Sequence, residues 1–277
     1  MRIIVVKGSG RIRRSLLLAA SLATLAACPA SQHQEVEMGQ QSAAQVLQYL
    51  PMVHDVEINR YINVLGDSLA GLADTRDLEW HFYVIDSPEI NAFALPGGYI
   101  FVNRGLIERV DSLDELASVI GHEIGHVTMR HSVKLQQKQQ AATIGMALGC
   151  VLTRVCNAAA SEALGIGAGA TFAAFSRDAE HQADSVGMIY VMRANIDPRG
   201  MTSMFEKLLA ERRRSPEKLE AWFTTHPIEE DRISWTLDAI DKYDRRWLAG
   251  FTRDSPNFRK FKKRFEALPP YPPQPTN

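Results

Sequence analysis

The stretch VIGHEIGHVTMRH, Val119 to His131, carries three histidines and a glutamate among apolar and small residues. On an α-helix each residue turns about 100°. His122 and His126, four apart, then share one face, one turn above the other. Glu123 lies beside that face, about 60° from His126. On a continuous helix His131 points about 180° away from His122 and reads as a structural or surface residue. Neutral imidazoles on one face are good ligands for zinc near pH 7. Zinc lowers the pKa of a bound water to about 7, and a carboxylate beside that water can take its proton and pass it on. The pattern H-E-x-x-H has this composition. Gly121 and Gly125 are poor helix formers, about 1 kcal/mol each against Ala; they would let another backbone come close, as a substrate cleft requires. The alternative is a buried amphipathic helix whose histidines are merely hydrogen-bonded.

A catalytic zinc keeps three protein ligands and one open position. FSRDAEHQADSVG, beginning at Phe175, offers the third. Glu180 and Asp184 are also four apart and share one helical face. Glu180 completes a His-His-Glu set, and Asp184 can accept the second N–H of a ligating histidine, fixing its tautomer. His181, about 100° from Glu180, points elsewhere. The alternative is a solvated acidic face with a chance spacing.

Elements must position these groups. Ser112-Leu113-Asp114-Glu115 reads as a helix start with acids in its first turn, and Leu116, Val119, Ile120, Ile124 and Val127 form a buried stripe. A helix is expected over Val56 to Ala73, a strand over Trp80 to Asp86, and two short strands about Pro96-Gly97-Gly98. The exposed edge of such a hairpin is a natural place for an extended peptide to add as a strand, although Asn91 to Asn103 also fits a plain structural hairpin. Residues 141–175 are Ala/Gly-rich, interrupted by Arg154 and Glu162, and too broken for one membrane span; two helices over the active-site helix are expected there. A further helix follows IDPRGM, with basic ERRR at Glu211 to Arg214. The final LPPYPPQPTN reads as extended or disordered, and no helical repeat follows Ile240.

INAFALPGGYIFVNRGLI, ELASVIGHEIGHVTMRH, FSRDAEHQADSVG and TTHPIEEDRI, in this order, resemble one family of HExxH gluzincin metallopeptidases. That family includes the CAAX prenyl endopeptidases, the HtpX-type membrane proteases and the periplasmic BepA-like lipoproteins. The resemblance spans Pro51 to Ile240. It implies that His122, His126 and Glu180 bind zinc, that Glu123 is the general base and that Asp184 stands behind the ligands. It places His226 near the open zinc position, as a plug, as an oxyanion donor, or, in a gated site, as both. Arg232 matches the family's basic residue after that motif. The resemblance also implies that the strand edge at Asn91, Ala92, Phe93 and Ala94 is the substrate shelf.

The chain has 277 residues, 31 basic against 32 acidic. Residues 1–27 carry five of the basic residues and no acid, leaving a remainder of about −6. That charge excludes an electrostatic footprint for nucleic acid. Arg11, Arg13 and Arg14, the apolar run from Leu16 and the small residues after it read as a secretion signal. LAAC, ending at Cys28, resembles a lipoprotein processing site, which makes Cys28 the acylated first residue; a cysteine buried in a membrane anchor is the alternative. Cys150 and Cys156 would close a small loop as a disulfide in an oxidising compartment, or remain buried thiols.

The fold expected is α+β: a mostly helical zincin-like metallopeptidase domain with a small β-sheet beside the active-site helix. The expected divisions are a signal peptide over 1–27, a polar tether over 28–50, the metallopeptidase domain over 51–245, and a C-terminal helix and Pro-rich tail over 246–277. The expected function is a zinc-dependent endopeptidase, lipid-anchored in the periplasm at the outer membrane, acting on misfolded or stalled envelope proteins. One rival is a chaperone-like outer-membrane assembly factor with a latent peptidase site. Another is a structural lipoprotein whose zinc is closed by a fourth ligand, for which His226 is available.

Overall fold

A computed structural model of the protein describes residues 30–153, 174–227 and 230–271. The main unit comprises Gln32–Leu135 with Ala170–Asn277. The second comprises Met1–Ser31 with Gln136–Gly169, of which residues 30–31 and 136–153 are described.

Helix α1 (Gln32–Tyr49) leads into α2 (Val56–Ala73), β1 (His81–Ile85), β2 (Ala92–Leu95), β3 (Tyr99–Asn103) and the short α3 (Arg104–Ile107). Asp55 starts α2 by accepting from the Glu57 and Ile58 amides at 3.0 and 3.1 Å. Ile58, Ile62, Leu65 and Leu69 then form its buried stripe. The sheet order is β1-β3-β2, with β1 parallel and β2 antiparallel to β3. Gly97 and Gly98, at φ 77° and 100°, make the β2–β3 turn that a side chain would strain. The Asn103 amide donates to Asn91 O at 2.9 Å, and Phe93 opposes Phe101. By the alternation of an antiparallel pair, the N–H and C=O of Ala92 and Ala94 therefore point to the free edge of the sheet.

Helix α4 (Leu113–Thr128) lies at the centre, with every residue but Thr128 buried. It ends at Thr128, and Arg130, whose φ is 58°, separates it from α5 (His131–Thr153). Next come α6 (Arg177–Arg193), α7 (Arg199–Arg214), a 3₁₀ turn (Pro216–Leu219), α8 (Glu220–Thr225), α9 (Glu230–Ile240), α10 (Arg245–Leu248) and α11 (Pro256–Glu266). The α6 cap is Ser176 Oγ, accepting from the Ala179 amide at 3.3 Å. Phe258, Phe261 and Phe265 of α11 join the main core, Phe261 stacking on Tyr61 of α2 at 4.3 Å.

The α+β class is as expected, with a small sheet beside the central helix. Two expectations change and one is sharpened. Residues 32–49, expected as part of a polar tether, form helix α1 packed on the sheet. Composition misleads there because the helix docks through small residues and one ion cluster. A Cβ at Gly39 would lie 1.8 Å from Pro96 O, and buried Glu35 is held by Arg76 at 3.2 Å and Arg130 at 2.7 Å. The Pro-rich tail, expected as extended or disordered, has no helix or strand over 269–271 and is docked there: Arg104 donates to Pro269 O at 2.8 Å and lies 4.1 Å over the Tyr271 ring. The other change concerns Gly121 and Gly125. They make room for α6 rather than for a substrate, since Cβ atoms there would meet Gly187 O at 3.2 Å and Ala183 O at 2.9 Å. Cys28, Cys156 and the Cys150 side chain lie outside the described residues, as does most of 141–175. Among the described residues no helix is long and apolar enough to cross a membrane.

Candidate metal centre

Helix α4 presents His122 and His126, and the close α4–α6 packing brings Glu180 and Asp184 against them. His226 arrives from a third direction, on the loop after α8, where the Phe175 amide donates to Thr225 O at 3.1 Å. Donor atoms of His122, His126, Glu180 and His226 all lie within 4.8 Å of one another, and all four residues are buried. The Nε2 atoms of His122 and His126 are 3.0 Å apart. His226 Nδ1 stands 3.4 Å from His122 Nε2 and 3.1 Å from Glu180 Oε1, which is 3.4 Å from His126 Nε2.

Other groups surround the cluster. Asp184 Oδ1 lies 2.8 Å from His122 Nδ1, the ring nitrogen turned away from the cluster, a close carboxylate–imidazole contact. Arg232 reaches both acids, at 2.7 Å to Glu180 Oε2 and 2.6 Å to Asp184 Oδ1. Phe175 stacks on His126 at 4.1 Å and Trp222 lies 4.9 Å from the His226 ring. Glu123 is fully buried beside the pair, its Oε1 3.7 Å from His226 Nε2. Neither Glu123 oxygen nor His226 Nε2 has a hydrogen-bond partner among the described residues.

Environment sets the protonation of each group. Burial pushes the Glu123 carboxyl up, against the pull of His226 and His122. Glu180 feels burial in the same sense, but the charge and hydrogen bond of His226 and the bond from His126 hold it well below the usual carboxylate range. Asp184 is likewise lowered, because the Arg232 charge and the His122 bond outweigh burial. Burial takes His126 well below its ordinary value. His226 is raised, since the Glu180 and Glu123 carboxylates overcome its burial.

These residues fit a divalent cation. With the carboxyls ionised and the histidines neutral, Glu123, Glu180 and Asp184 bury three negative charges against the one positive charge of Arg232, an excess of two. A dication held by neutral histidines balances that excess, whereas unpaired buried charge is expensive. Two imidazoles and a carboxylate are the donor types zinc takes.

The structure brings together all the metal-site residues expected from the sequence, and it places Asn91 to Ala94 on and beside edge strand β2, which packs against α4. It corrects His131. The break at Arg130 turns that residue back, so it is buried with Nδ1 3.0 Å from His126 Nδ1. The contacts of Arg232 with both acids and of Phe175 with His126 had no signal in local spacing.

Comparison with known proteins agrees with this geometry. The model of peptidase family M48 matches residues 57–240. The chain is 33% identical to the beta-barrel assembly-enhancing protease of Yersinia pestis over 221 residues, 77% of this chain and 45% of the relative. The protein of the same name from Escherichia coli strain K12 is 34% identical over 209 residues, 73% and 42% of the two chains. The mitochondrial metalloendopeptidase OMA1 of Schizosaccharomyces pombe is 29% identical over 184 residues, 66% and 53%. The chain thus spans less than half the length of these bacterial relatives.

Proposed function

The chain belongs to peptidase family M48, and on that premise we propose that it is a zinc-dependent endopeptidase acting on unfolded or misfolded proteins of the bacterial cell envelope. The observation that carries the reading is the convergence of His122, His126 and Glu180 on one point with the Glu123 carboxylate beside it. A zinc ion held there supplies a Lewis acid that polarises the scissile carbonyl and acidifies water. Glu123 takes the proton from the attacking water and returns it to the leaving amine nitrogen; burial raises its affinity for that proton. Asp184 orients His122. The outward N–H and C=O groups of Ala92 and Ala94 bind an extended chain through its backbone, with Asn91 and Phe93 flanking, so recognition tolerates many sequences.

His226 gates this site. At rest its Nδ1 is a fourth donor and its Nε2 faces Glu123, where a substrate carbonyl and water must stand. Displaced from that position on its loop, the same imidazole is a donor for the oxyanion. The rival reading, a chaperone-like assembly factor whose peptidase is latent, is not favoured, since the relatives are named proteases and a metalloendopeptidase. For its address we propose a lipid on Cys28 that anchors the chain at the periplasmic face of the outer membrane; a mature amino terminus without acyl mass would defeat this.

Turnover of unfolded casein separates the readings. The endopeptidase hydrolyses it, loses activity with chelator and regains it with zinc. Glu123→Gln keeps stoichiometric zinc and loses about 10²–10⁴ in rate. A zinc-loaded chain that binds casein without cleaving it, and a Glu123→Gln variant with full cellular function, leave the assembly factor.

A further inference from the structure

We propose that His131 is a positioning residue for the zinc ligand His126, passing on a single arrangement of protons that begins at Gln182. This rests on the reading of His126 as a ligand through Nε2.

The argument is a count of protons. His126 Nε2 faces the donor cluster, 3.4 Å from Glu180 Oε1 and 3.0 Å from His122 Nε2. To ligate, that nitrogen must carry a lone pair, so the proton of the neutral ring sits on Nδ1. The only hydrogen-bond partner of Nδ1 among the described residues is His131 Nδ1, at 3.0 Å. His131 Nδ1 must accept, and the proton of its own neutral ring therefore lies on Nε2. That Nε2 faces Gln182 Oε1 at 3.3 Å, an acceptor in the sense the chain requires. One assignment satisfies all three groups: His126 donates to His131, and His131 donates to Gln182. The opposite tautomer of His131 would set two N–H groups against each other. His122 is held by a different device, the Asp184 carboxylate on its Nδ1.

Tertiary structure keeps His131 in place. Arg130 at φ 58° breaks the helix, in a conformation that costs a residue with a Cβ about 1–2 kcal/mol. Its Nε donates to Glu35 at 2.7 Å, while Arg76 binds Glu35 at 3.2 Å and Val127 O at 3.1 Å. Helix α1 thus clamps the turn that presents His131.

The test is zinc affinity by competition with a chelator, read beside the melting temperature of the metal-free chain. The parent should bind one zinc. His131→Phe, which keeps a ring and removes the acceptor, should bind zinc about 10- to 100-fold more weakly. His131→Gln, whose carbonyl can accept from His126, should stay within about threefold of the parent. A structural role alone predicts that affinity follows melting temperature and not acceptor capacity. A folded His131→Phe with parental affinity, or a His131→Gln as weak as His131→Phe, overturns the proposal. Long-range ¹⁵N–¹H spectra of the parent give a check that needs no variant. They should show His126 as the Nδ1–H tautomer and His131 as the Nε2–H tautomer, and a proton on His131 Nδ1 overturns it. A parent that binds no zinc removes both this inference and the peptidase reading, whereas a parent that binds while the acceptor proves irrelevant removes only this inference.

Discussion

Replacing Arg232 by methionine isolates the electrostatics of the site. The guanidinium is 2% exposed and makes contacts of 2.7 Å to Glu180, 2.6 and 2.9 Å to Asp184, and 3.3 Å to Pro227 O, with the Phe205 ring 4.4 Å away. Methionine retains much of the packing against Phe205 and removes the charge. Breaking a buried ion pair from one side costs about 3–5 kcal/mol, because the partner charge stays buried. For a unit of this size that corresponds to a melting temperature lower by about 6–20 °C. The effect belongs to the metal-free protein, where no dication faces the carboxylates, so the assay is thermal unfolding in excess chelator. The pH dependence has a definite sign. The folded Asp184 pKa lies below its unfolded value, so its contribution is present above the unfolded pKa and is lost as pH falls through the folded one. In Arg232→Met the carboxyls shift upward and gain stability on protonation. The gap between parent and variant should therefore be widest near neutrality and narrow towards about pH 4. Adding Asp184→Asn removes one of the stranded charges and should restore part of the loss. A metal-free Arg232→Met that melts within about 2 °C of the parent at neutral pH would refute the charge argument, as would a double variant no more stable than the single one.

His226→Ala should lower maximal casein turnover by about 10²–10³, because the variant loses the oxyanion donor along with the plug; an unchanged rate would reduce His226 to a buried loop histidine. Zinc binding should release protons from His226, raised by its carboxylate neighbours, and from Glu123, raised by burial, and should therefore tighten as pH rises. Titrations in buffers of different ionisation enthalpy count them, and a release near zero contradicts the assignment. Lys262 Nζ donates to Ile107 O, Glu108 O and Val110 O at 2.7, 3.0 and 2.8 Å, closing the end of α3. Lys262→Met should cost about 1–3 kcal/mol, measured by denaturant unfolding, with little change in zinc affinity.

Local periodicity made much of this protein legible before any coordinates. Two i,i+4 pairs, His122 with His126 and Glu180 with Asp184, depend only on the turn of a helix, and each pair does lie on one face. The span of α2 followed from Ile58, Ile62, Leu65 and Leu69, and the hairpin from β-formers around Pro96-Gly97-Gly98. Composition was a weaker guide. The Gln-rich stretch now seen as α1 buries a single acid and two small residues, too little to register as an apolar stripe, yet enough once Arg76, Arg130 and the Pro96 carbonyl are opposite. Contacts between residues far apart in the chain were beyond local spacing. Nothing near Gly121 and Gly125 says that the backbone they admit is α6, and nothing near Arg232 says that it faces both acids. For His131 the helical wheel gave the wrong direction, because one residue at positive φ turned the chain. The sequence alone thus determined which side chains share an element; which elements meet, and so which lone pairs, charges and protons face one another, was decided only by the tertiary packing, since those distances depend on the path of the chain between the elements.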